Sequence, residues 1–556
     1  MLYTYQQWLE DPAFDEASKA ELRAITDKKE IENRFFGLME FGTAGLRGVM
    51  GAGIRYMNVY TVRHATQALA DYINSQNIPD PTVAIARDSR IMSREFSEAA
   101  ANVLAANGIK SYLFDNVRPT PELSFSVLEL KCIAGINITA SHNPKEYNGY
   151  KVYWKDGAQI SPEQAEAIYG LMKSTDMITG VKTVCDCRAR EFITVLGEDY
   201  DDRYIGKVLE QSVNPDVIVR HRDLSIIYTP FHGAGFRIVP ETLRRAGFEN
   251  LYPVAEQMVL DGRFPTVKSP NPENKEGFTR AIEIAKERKA DLIIGTDPDC
   301  DRMGLVVRNS AGDFVTLSGN QTGAILLNYI IKSRKAQGKF PTDAFAVKTI
   351  VSTTLVDRIC EKEGVHLFSV LTGFKFIGEK INEMAAEGNH SFLFGFEESY
   401  GYLAGTYARD KDGVVASLLA AEAAAFYAER NMTLWDALQE LFAEYGVHKE
   451  STVNLYMQGV DGLKKMQQTM NDFRTVPEKT IGGLKVLSVK DYLDGIDGLP
   501  RSNVLSYALE DGSKVLIRPS GTEPKIKIYT LTSAPTAEKA EEKVKAIKKD
   551  FLSRIE

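Results

Sequence analysis

A repeated pattern of short apolar runs, each ended by a polar loop, constrains the fold of this 556-residue chain more than any other feature. Most of these runs are rich in β-branched residues, and a helical stretch follows the loop. The clearest examples are TVAIARDSR (82–90), IAGINITASHNP (133–144), LSIIYTPFHGAG (224–235), DLIIGTDPDCDRMG (291–304) and SFLFGFEESYGY (391–402). Apolar strands that alternate with helices predict α/β domains with parallel or mixed sheets. Because ligands in such folds bind where strands end, these loops are the candidates for the functional site.

The rest of the chain predicts the other elements and the domain boundaries. Segments 63–76, 94–107, 318–334 and 413–430 fit as helices between the strands. The last hundred residues instead predict a small antiparallel sheet, from TVNLYMQ, LKVLSVKDY, NVLSYALEDGSKVLIRPS and KIKIYTLTS, with a helix at 536–553. At roughly 150 residues per domain, the length predicts about four domains. We place soft boundaries near residues 204, 315 and 445, which gives domains 1–204, 205–315, 316–445 and 446–556.

The charge and the apolar runs exclude some classes of protein. A net charge of −8 argues against a nucleic-acid binder. A few neighbouring Arg and Lys side chains can still form a pocket that binds an anionic ligand. The N-terminus lacks the pattern of a signal peptide, and no uncharged apolar run reaches the ~18 residues of a membrane-spanning helix. Five scattered cysteines indicate free thiols. We therefore predict a cytoplasmic protein with neither a nucleic-acid nor a membrane partner.

The loop TASHNPKEYNGYKVY (139–153) contains the first candidate residue, Ser141. It follows an apolar strand and precedes His142, Asn143 and Pro144, so a stiff turn presents its hydroxyl. An ordinary turn capped by Ser and Asn is an equally good interpretation of this segment by itself.

The loop GTDPDCDRMG (295–304) places Asp297, Asp299 and Asp301 at alternate positions. In an extended backbone these three carboxylates lie on one face, with Cys300 on the other, and their mutual repulsion calls for a cation. Oxygen ligands select a hard ion such as Mg²⁺, while Arg302 suits a phosphate. An EF-hand loop is excluded, because it needs Gly and Glu at its sixth and twelfth positions, where arginines stand here. A solvated acidic turn is the alternative.

Two further loops carry candidate binding groups. In GFEESYGY (395–402), Glu397 and Ser399 offer an acceptor and a donor that suit sugar hydroxyls, although such runs are usually surface turns. In RPSGTEPKIKIY (518–529), a Ser-Gly-Thr turn predicts an anion-binding concavity beside Arg518. A hairpin turn with an incidental charge is the alternative there.

These four loops, in this order, resemble the α-D-phosphohexomutase superfamily over nearly the whole chain. FGTAGLRG (41–48), LTGFKFIG (371–378) and ARDKDG (408–413) resemble its phosphoglucomutase branch in particular. The resemblance implies three related α/β domains with mixed sheets and a smaller α+β C-terminal domain around a central cleft. In order, they would carry the phosphoserine loop, the metal site, the sugar site and the site for the non-reacting phosphate.

The resemblance also implies roles for individual residues. Ser141 would carry the phosphoryl group, and its oxygen with Asp297, Asp299 and Asp301 would hold Mg²⁺. The residues implied to contact the reacting phosphate or to act beside it are Arg302, Arg47, Lys151 and Lys411. The residues implied to bind the sugar or its other phosphate are Thr372, Gly373, Glu397, Ser399, Arg518, Ser520, Gly521 and Thr522. Where some relatives carry a histidine as proposed acid/base, this chain has Gly401, so either lysine is a candidate base, with a pKa lowered by its cationic surroundings.

The activity implied is interconversion of hexose 1-phosphate and hexose 6-phosphate through a bisphosphate. Glucose is the first choice and mannose a possible second substrate, with glucose 1,6-bisphosphate or the cognate sugar bisphosphate as activator. The partner expected is a small sugar phosphate, and the protein a monomer or weak homodimer. Three alternatives stay open: a phosphopentomutase, an enzyme that uses Asp297 as nucleophile, and a sugar-phosphate-binding module without catalysis.

Overall fold

The computed structural model describes residues 4–42, 45–456, 459–475, 479–519 and 525–554. Its helices are α1 (Tyr5–Glu10), α2 (Glu16–Arg23), α3 (Lys28–Phe35), α4 (Val59–Ser75), α5 (Ser93–Ala106), α6 (Thr120–Glu129), α7 (Pro162–Ser174), α8 (Asp186–Ala189), α9 (Glu198–Leu209), α10 (Pro215–Arg220), α11 (Gly235–Ala246), α12 (Thr279–Arg288), α13 (Gly319–Ala336), α14 (Leu355–Glu363), α15 (Phe374–Ala386), α16 (Gly413–Ala428), α17 (Leu434–Tyr445), α18 (Gly459–Thr475) and α19 (Ala537–Leu552).

The strands are numbered in chain order. They are β1 (Gly45–Val49), β2 (Thr82–Arg87), β3 (Lys110–Phe114), β4 (Ala134–Ile138), β5 (Tyr147–Trp154), β6 (Ile193–Leu196), β7 (Ile226–Thr229), β8 (Leu251–Pro253), β9 (Leu292–Thr296), β10 (Met303–Arg308), β11 (Phe314–Thr316), β12 (Phe345–Thr349), β13 (His366–Val370), β14 (Phe392–Glu397), β15 (Gly401–Leu403), β16 (Val447–Tyr456), β17 (Thr480–Ile481), β18 (Leu484–Asp491), β19 (Leu505–Leu509), β20 (Lys514–Pro519) and β21 (Lys525–Ala534).

The chain divides into two compact units, the first made of Met1–Val306 and Tyr402–Ala425. Its larger sheet has the order β1-β5-β4-β2-β3-β6, in which β2, β3, β4 and β6 pair in parallel and β5 runs antiparallel to both of its neighbours. Leu69 of α4 and Leu104 of α5 pack with Ile85 and Ile136 of the strands in one buried core. The second sheet of this unit contains β10-β9-β7-β8, with β7 parallel to β8 and β9.

The second unit consists of Val307–Gly401 and Phe426–Glu556. It contains the parallel strands β13-β12-β14 and a six-stranded sheet of order β16-β21-β20-β19-β18-β17. Every pair in the six-stranded sheet is antiparallel. One face of that sheet buries Tyr507, Ile517 and Ile528 with Ile547 and Phe551 of α19.

The fold class inferred from the sequence is confirmed: three sheets with parallel strand pairs, each accompanied by helices, are followed by an antiparallel C-terminal sheet. The five apolar runs form β2, β4, β7, β9 and β14, and the four helical stretches form α4, α5, α13 and α16. Helix α18 was not predicted. Its Met466, Met470 and Phe473, spaced four and three residues apart, pack on the core of the C-terminal sheet.

No helix among the described residues has the length and apolar character that crossing a bilayer requires. The most apolar one, α16, is buried within the fold, as expected from its alanine-rich sequence. All five cysteines are free thiols.

Candidate active site

Ser141 lies three residues beyond the end of β4, in a left-handed backbone conformation with φ of 51°. For a residue with a β-carbon this conformation is costly, and such strain collects at functional sites. The Ser141 N–H donates to the Thr139 hydroxyl at 2.8 Å, and Ser141 is 3% exposed. The local turn therefore holds the serine hydroxyl at a defined, buried position at the carboxyl edge of the sheet.

Arg90 organises the backbone of the serine loop. Its two terminal nitrogens donate to the carbonyl oxygens of residues 141, 143, 144 and 147, at 2.7, 2.5, 2.9 and 2.8 Å. Its Nε lies 3.2 Å from Asp88, whose carboxylate also accepts from the Thr139 hydroxyl at 2.7 Å. Our sequence analysis did not identify Arg90 or Asp88 as site residues. The available signal was their position in the polar loop directly after β2.

The three aspartates lie in the loop between β9 and β10, and each is fully buried. We expected an extended backbone, which was wrong: the Cys300 N–H donates to the Asp297 carbonyl at 2.9 Å, and Cys300 has φ of 52°. The loop is thus a tight turn. The backbone N–H groups of Asp301 and Arg302 donate to Asp297 Oδ1 at 3.1 and 3.0 Å, which fixes that carboxylate.

This turn brings three carboxylate oxygens, one from each of Asp297, Asp299 and Asp301, within 4.8 Å of one another. The Oδ1 atoms of Asp299 and Asp301 are buried and accept no hydrogen bond from the described part of the chain. Unpaired buried carboxylate oxygens are costly, and they are the ligands that Mg²⁺ prefers. The residues present therefore fit the cation inferred from the sequence.

Two lysines face the aspartates. Lys151 Nζ lies 2.8 Å from Asp299 Oδ2 and 3.4 Å from Asp301 Oδ2, and Lys411 Nζ lies 2.9 Å from Asp301 Oδ2. Burial acts to lower the pKa of Lys151, but the charges of Asp299 and Asp301 outweigh it and raise the pKa overall. Our expectation that cationic neighbours lower this pKa was wrong, because the nearest charges are carboxylates.

The carboxylates respond to their surroundings in opposite directions. Burial raises the pKa of Asp297 well above its usual range, and the charges of Asp301 and Asp299 add to the effect. Burial also acts to raise the pKa of Asp299, but the ammonium of Lys151 outweighs it, so that this pKa is lowered. The cluster therefore holds its negative charge chiefly where the lysines are.

Thr120 joins the serine loop's sheet to the aspartate turn. Its hydroxyl donates to Asp299 Oδ2 at 2.8 Å and its backbone N–H donates to the Asp299 carbonyl at 2.8 Å. Asn137 Nδ2 in turn donates to the Thr120 hydroxyl at 2.7 Å. Neither residue was identified from the sequence. No local pattern in the segment RPTPE (118–122) indicates that Thr120 binds Asp299, which lies 179 residues further along the chain.

The serine and the aspartates form one site. The Ser141 hydroxyl donates to Asp297 Oδ2 at 2.8 Å and lies 3.1 Å from His142 Nδ1. Burial lowers the pKa of His142 well below its usual value, and the charges of Arg302 and Arg47 lower it further. Arg47 donates to the Asn143 side chain at 3.1 Å, and Arg302 is 14% exposed. The arrangement combines a buried serine hydroxyl, three carboxylates that could hold a cation and several positive groups, which suits phosphoryl transfer.

The remaining candidate residues lie in the second unit. Arg518, on β20, donates from Nη1 to the Thr372 hydroxyl at 2.6 Å, so two residues 146 positions apart are brought together. Gly373 has φ of 119°, and a β-carbon there would meet only Phe376, at 3.9 Å, so its backbone conformation rather than space requires glycine. Glu397 ends β14 and is buried, and Ser399 follows in a turn. Ser520, Gly521 and Thr522 lie outside the described residues.

Comparisons with known proteins find similar domains and similar full-length relatives. Family models for the α/β/α domains I, II and III of phosphoglucomutase/phosphomannomutase match residues 38–179, 202–312 and 318–445. The phosphoglucomutases of Staphylococcus aureus strains MRSA252 and USA300 are each 36% identical to the chain, over 534 and 533 residues and 94% of both proteins.

Two solved structures share the fold. One is a phosphoglucomutase/phosphomannomutase family protein from Burkholderia thailandensis, with a TM-score of 0.68, 20% identity and coverage of 92% of this chain and 96% of that one. The other is the open form of parafusin, a phosphoglucomutase from Paramecium, with a TM-score of 0.69, 20% identity and 94% coverage of each chain. With three matched domains and relatives similar over almost its whole length, the chain belongs to the phosphoglucomutase/phosphomannomutase family of sugar phosphate mutases.

Proposed function

We propose that the chain interconverts hexose 1-phosphate and hexose 6-phosphate, with glucose phosphate as the preferred substrate and phosphoserine at position 141. The observation that carries the proposal is the 2.8 Å contact between the Ser141 hydroxyl and Asp297, inside a cluster of three buried aspartates. A strained, buried serine beside an oxygen-only cation site is costly to maintain, and phosphoryl transfer gives each of these features a use.

In the first half-reaction, the P–O bond to Ser141 Oγ breaks as a P–O bond forms to a hydroxyl oxygen of the sugar phosphate. The product is a sugar bisphosphate, and the hydroxyl proton passes to Nζ of Lys151 or Lys411, which must be neutral at that moment. Because Asp299 and Asp301 outweigh the effect of burial and raise the pKa of Lys151, that neutral form would require a bound cation to offset the carboxylate charge. In the second half-reaction, the other phosphoryl group returns to Ser141 Oγ and the proton returns to the sugar oxygen. The sugar bisphosphate must reverse its orientation in between, and we propose that added glucose 1,6-bisphosphate activates the enzyme by phosphorylating Ser141.

The chain's own groups position and stabilise the reacting atoms. Arg90 holds the serine loop through four carbonyl oxygens, and Arg302 and Arg47 supply positive charge near the phosphoryl group. Members of the family use Mg²⁺. We assign that ion to Asp297, Asp299, Asp301 and Ser141, where it would polarise the phosphoryl oxygens and offset the carboxylate charge.

We assign substrate recognition to residues of the second unit. Glu397 and Ser399 would bind sugar hydroxyls, and Thr372 and Gly373 would set the sugar's orientation. Arg518, with Ser520, Gly521 and Thr522, would hold the phosphate that does not react. The guanidinium of Arg518 already meets the Thr372 hydroxyl at 2.6 Å, so a phosphate bound there would find both donors together.

The test is a coupled mutase assay with Mg²⁺ and a trace of glucose 1,6-bisphosphate. Glucose 1-phosphate, mannose 1-phosphate and ribose 1-phosphate are run in parallel on the native chain, on Ser141→Ala and on the exposed-site control Ser75→Ala. We expect glucose 1-phosphate to turn over fastest, and Ser141→Ala alone to lose activity. Faster turnover of ribose 1-phosphate would make the enzyme a phosphopentomutase.

Two other results would contradict the proposed mechanism. Full activity of Ser141→Ala, with an acid-labile phosphoryl group on the protein, would make Asp297 the nucleophile. Binding of sugar phosphates without turnover of any of the three would identify a binding module.

A further inference from the structure

A cavity of about 260 Å³ lies in the second unit, between the C-terminal sheet and the strands β12 and β13. It is lined by three lysines, Lys348, Lys490 and Lys514, and by one acidic residue, Asp497. The chain as a whole carries a net charge of −8, so this cavity is positively charged on an acidic protein. Such local reversal of charge is how an acidic protein binds an anion.

The pairing of the strands explains the hollow. Ser488 pairs with Ala508, which pairs with Lys514, and Lys490 pairs with Ser506 in the next row. Residues paired in this way point to the same face of a sheet. Three small side chains therefore lie in the middle of the face with a lysine on each side, which leaves a depression flanked by ammonium groups.

Two of the lysines already have partners. Lys348 is buried, and its Nζ donates to the Thr353 carbonyl at 3.0 Å and to the Asp357 carboxylate. Lys490 donates to Asp497 at 2.6 Å. Each of these two lysines thus has an acidic partner, Lys348 in the interior and Lys490 at the surface.

Lys514 differs from them. Within the described ranges its half-buried side chain has no ion-pair or hydrogen-bond partner. The hydroxyls of Ser369, Ser488 and Ser506, which line the same cavity, also have no partner there. Lys514 and the three hydroxyls thus form a group of potential donors around one hollow, in which Ser369 and Ser488 are open to solvent and Ser506 and Lys514 are half-buried.

We propose that this cavity binds a small phosphorylated metabolite. Lys514 and the serine hydroxyls hold its phosphate, because a phosphate group accepts several hydrogen bonds and supplies the negative charge that pairs with the Lys514 ammonium. Leu516 and Leu531 line the same cavity and offer apolar contact to the rest of the molecule. The site does not depend on the proposed mutase activity.

The cavity is separate from the candidate substrate phosphate site. Lys514 and Arg518 lie on the same strand four residues apart, a distance of roughly 13 Å at the rise of a β-strand. Arg518 and Thr372 do not line the cavity. A phosphate on Lys514 is therefore a second occupant of this unit.

Hydrogen–deuterium exchange of the full chain tests the proposal, with inorganic phosphate as the ligand. We expect phosphate to slow exchange at least twofold in β18 and β19. The protection should disappear in Lys514→Gln and in Ala508→Met, which fills the hollow. It should persist in Lys485→Gln, an exposed lysine on β18 outside the cavity, and in Arg518→Ala.

Three results would overturn the proposal. One is unchanged protection in both Lys514→Gln and Ala508→Met. Another is loss of protection in Arg518→Ala, which would place the bound phosphate at the substrate site. The third is absence of protection up to about 20 mM phosphate, well above a millimolar dissociation constant. Circular dichroism of each variant confirms that it is folded.

Discussion

The phenol of Tyr153 donates a hydrogen bond of 2.7 Å to the carboxylate of Asp410, 257 residues further along the chain. Oδ2 of Asp410, which accepts that bond, also accepts one from Gln159 Nε2 at 2.9 Å, and Oδ1 of Asp410 lies 3.3 Å from Lys411 Nζ. Tyr153 is two residues from Lys151 on β5, so one face of this strand contacts the aspartate turn directly and also supports the loop of Lys411.

Replacing Tyr153 with Phe should therefore lower kcat by about tenfold, since a buried hydrogen bond to a charged group contributes about 1.5–3 kcal/mol. KM should change little, because the substrate groups are bound elsewhere. Burial and the neighbouring Asp410 raise the pKa of Tyr153, so the phenol stays a donor at assay pH. Steady-state kinetics would measure the effect, with Tyr72→Phe as the control. Equal losses in both variants would contradict the role of Tyr153.

Replacing Asp299 with Asn should lower kcat on the order of 10²–10³-fold, comparable to removing one preorganised electrostatic group. The substitution removes a charge next to the two lysines and one of the three proposed Mg²⁺ ligands. Turnover at saturating Mg²⁺ and calorimetric titration with Mg²⁺ would both report the loss. The exposed Asp313→Asn should behave as the native chain. Near-normal turnover of Asp299→Asn would refute the metal assignment.

Replacing Arg90 with Met should destabilise the first unit by about 3–5 kcal/mol, because it leaves the Asp88 carboxylate buried without its cation. Four carbonyl groups of the serine loop also lose their donor. Differential scanning calorimetry would show a lower unfolding temperature, whereas Arg94→Met, on an exposed side chain, should change stability by less than about 0.5 kcal/mol. Similar unfolding temperatures for the two variants would contradict this account.

We expect the buried carboxyl group of Glu122 to make the stability of the fold depend on pH. Both of its oxygens are buried and have no hydrogen-bond partner among the described residues, and burial raises its pKa to about 8, against the nearby charge of Arg118. Between its ordinary pKa and 8 the folded chain binds a proton that the unfolded chain has released. This group therefore reduces stability as pH rises, by at most about 1.4 kcal/mol per pH unit.

Glu122→Gln removes that penalty. The variant should match the native chain in unfolding temperature near pH 5 and exceed it near pH 8, whereas the exposed-site control Glu166→Gln should follow the native chain at both. A difference between Glu122→Gln and the native chain that does not grow with pH would show that Glu122 is not protonated in the fold.

Replacing Arg518 with Ala should raise KM for the sugar phosphate by about 10–100-fold and lower kcat less. A guanidinium that binds a non-reacting phosphate contributes to the ground state and the transition state alike. Initial-rate kinetics would separate the two constants, and the exposed Arg501→Ala is the control. A fall in kcat alone would place Arg518 in the chemical step instead.

Much of the architecture was predictable because it depends on local pattern. The runs that form β4 and β9 have the length and β-branched composition of buried strands, and α16 has the continuous apolar character of a buried helix. The polar residues directly after β4 and β9, Ser141 and Asp297 among them, follow from the rule that ligands bind at strand ends.

The geometry within those loops was less predictable. The aspartate turn contains Cys300 at φ of 52°, a conformation that residues with a β-carbon rarely adopt, so an extended backbone was the natural expectation. The direction of the pKa shift of Lys151 depends on which charges lie nearest. Asp299 lies 148 residues away along the chain, and no local pattern records that distance.

By itself, then, the sequence determined the order of strands and helices, the fold class and the loops that carry chemistry, because hydrophobic period and strand-end position are local properties. Only the tertiary structure decided that Arg90 binds the serine loop, that Thr120 binds Asp299, and that small side chains leave a cationic hollow beside Lys514. These are contacts between segments remote in sequence, and they exist only once the sheets and helices have packed.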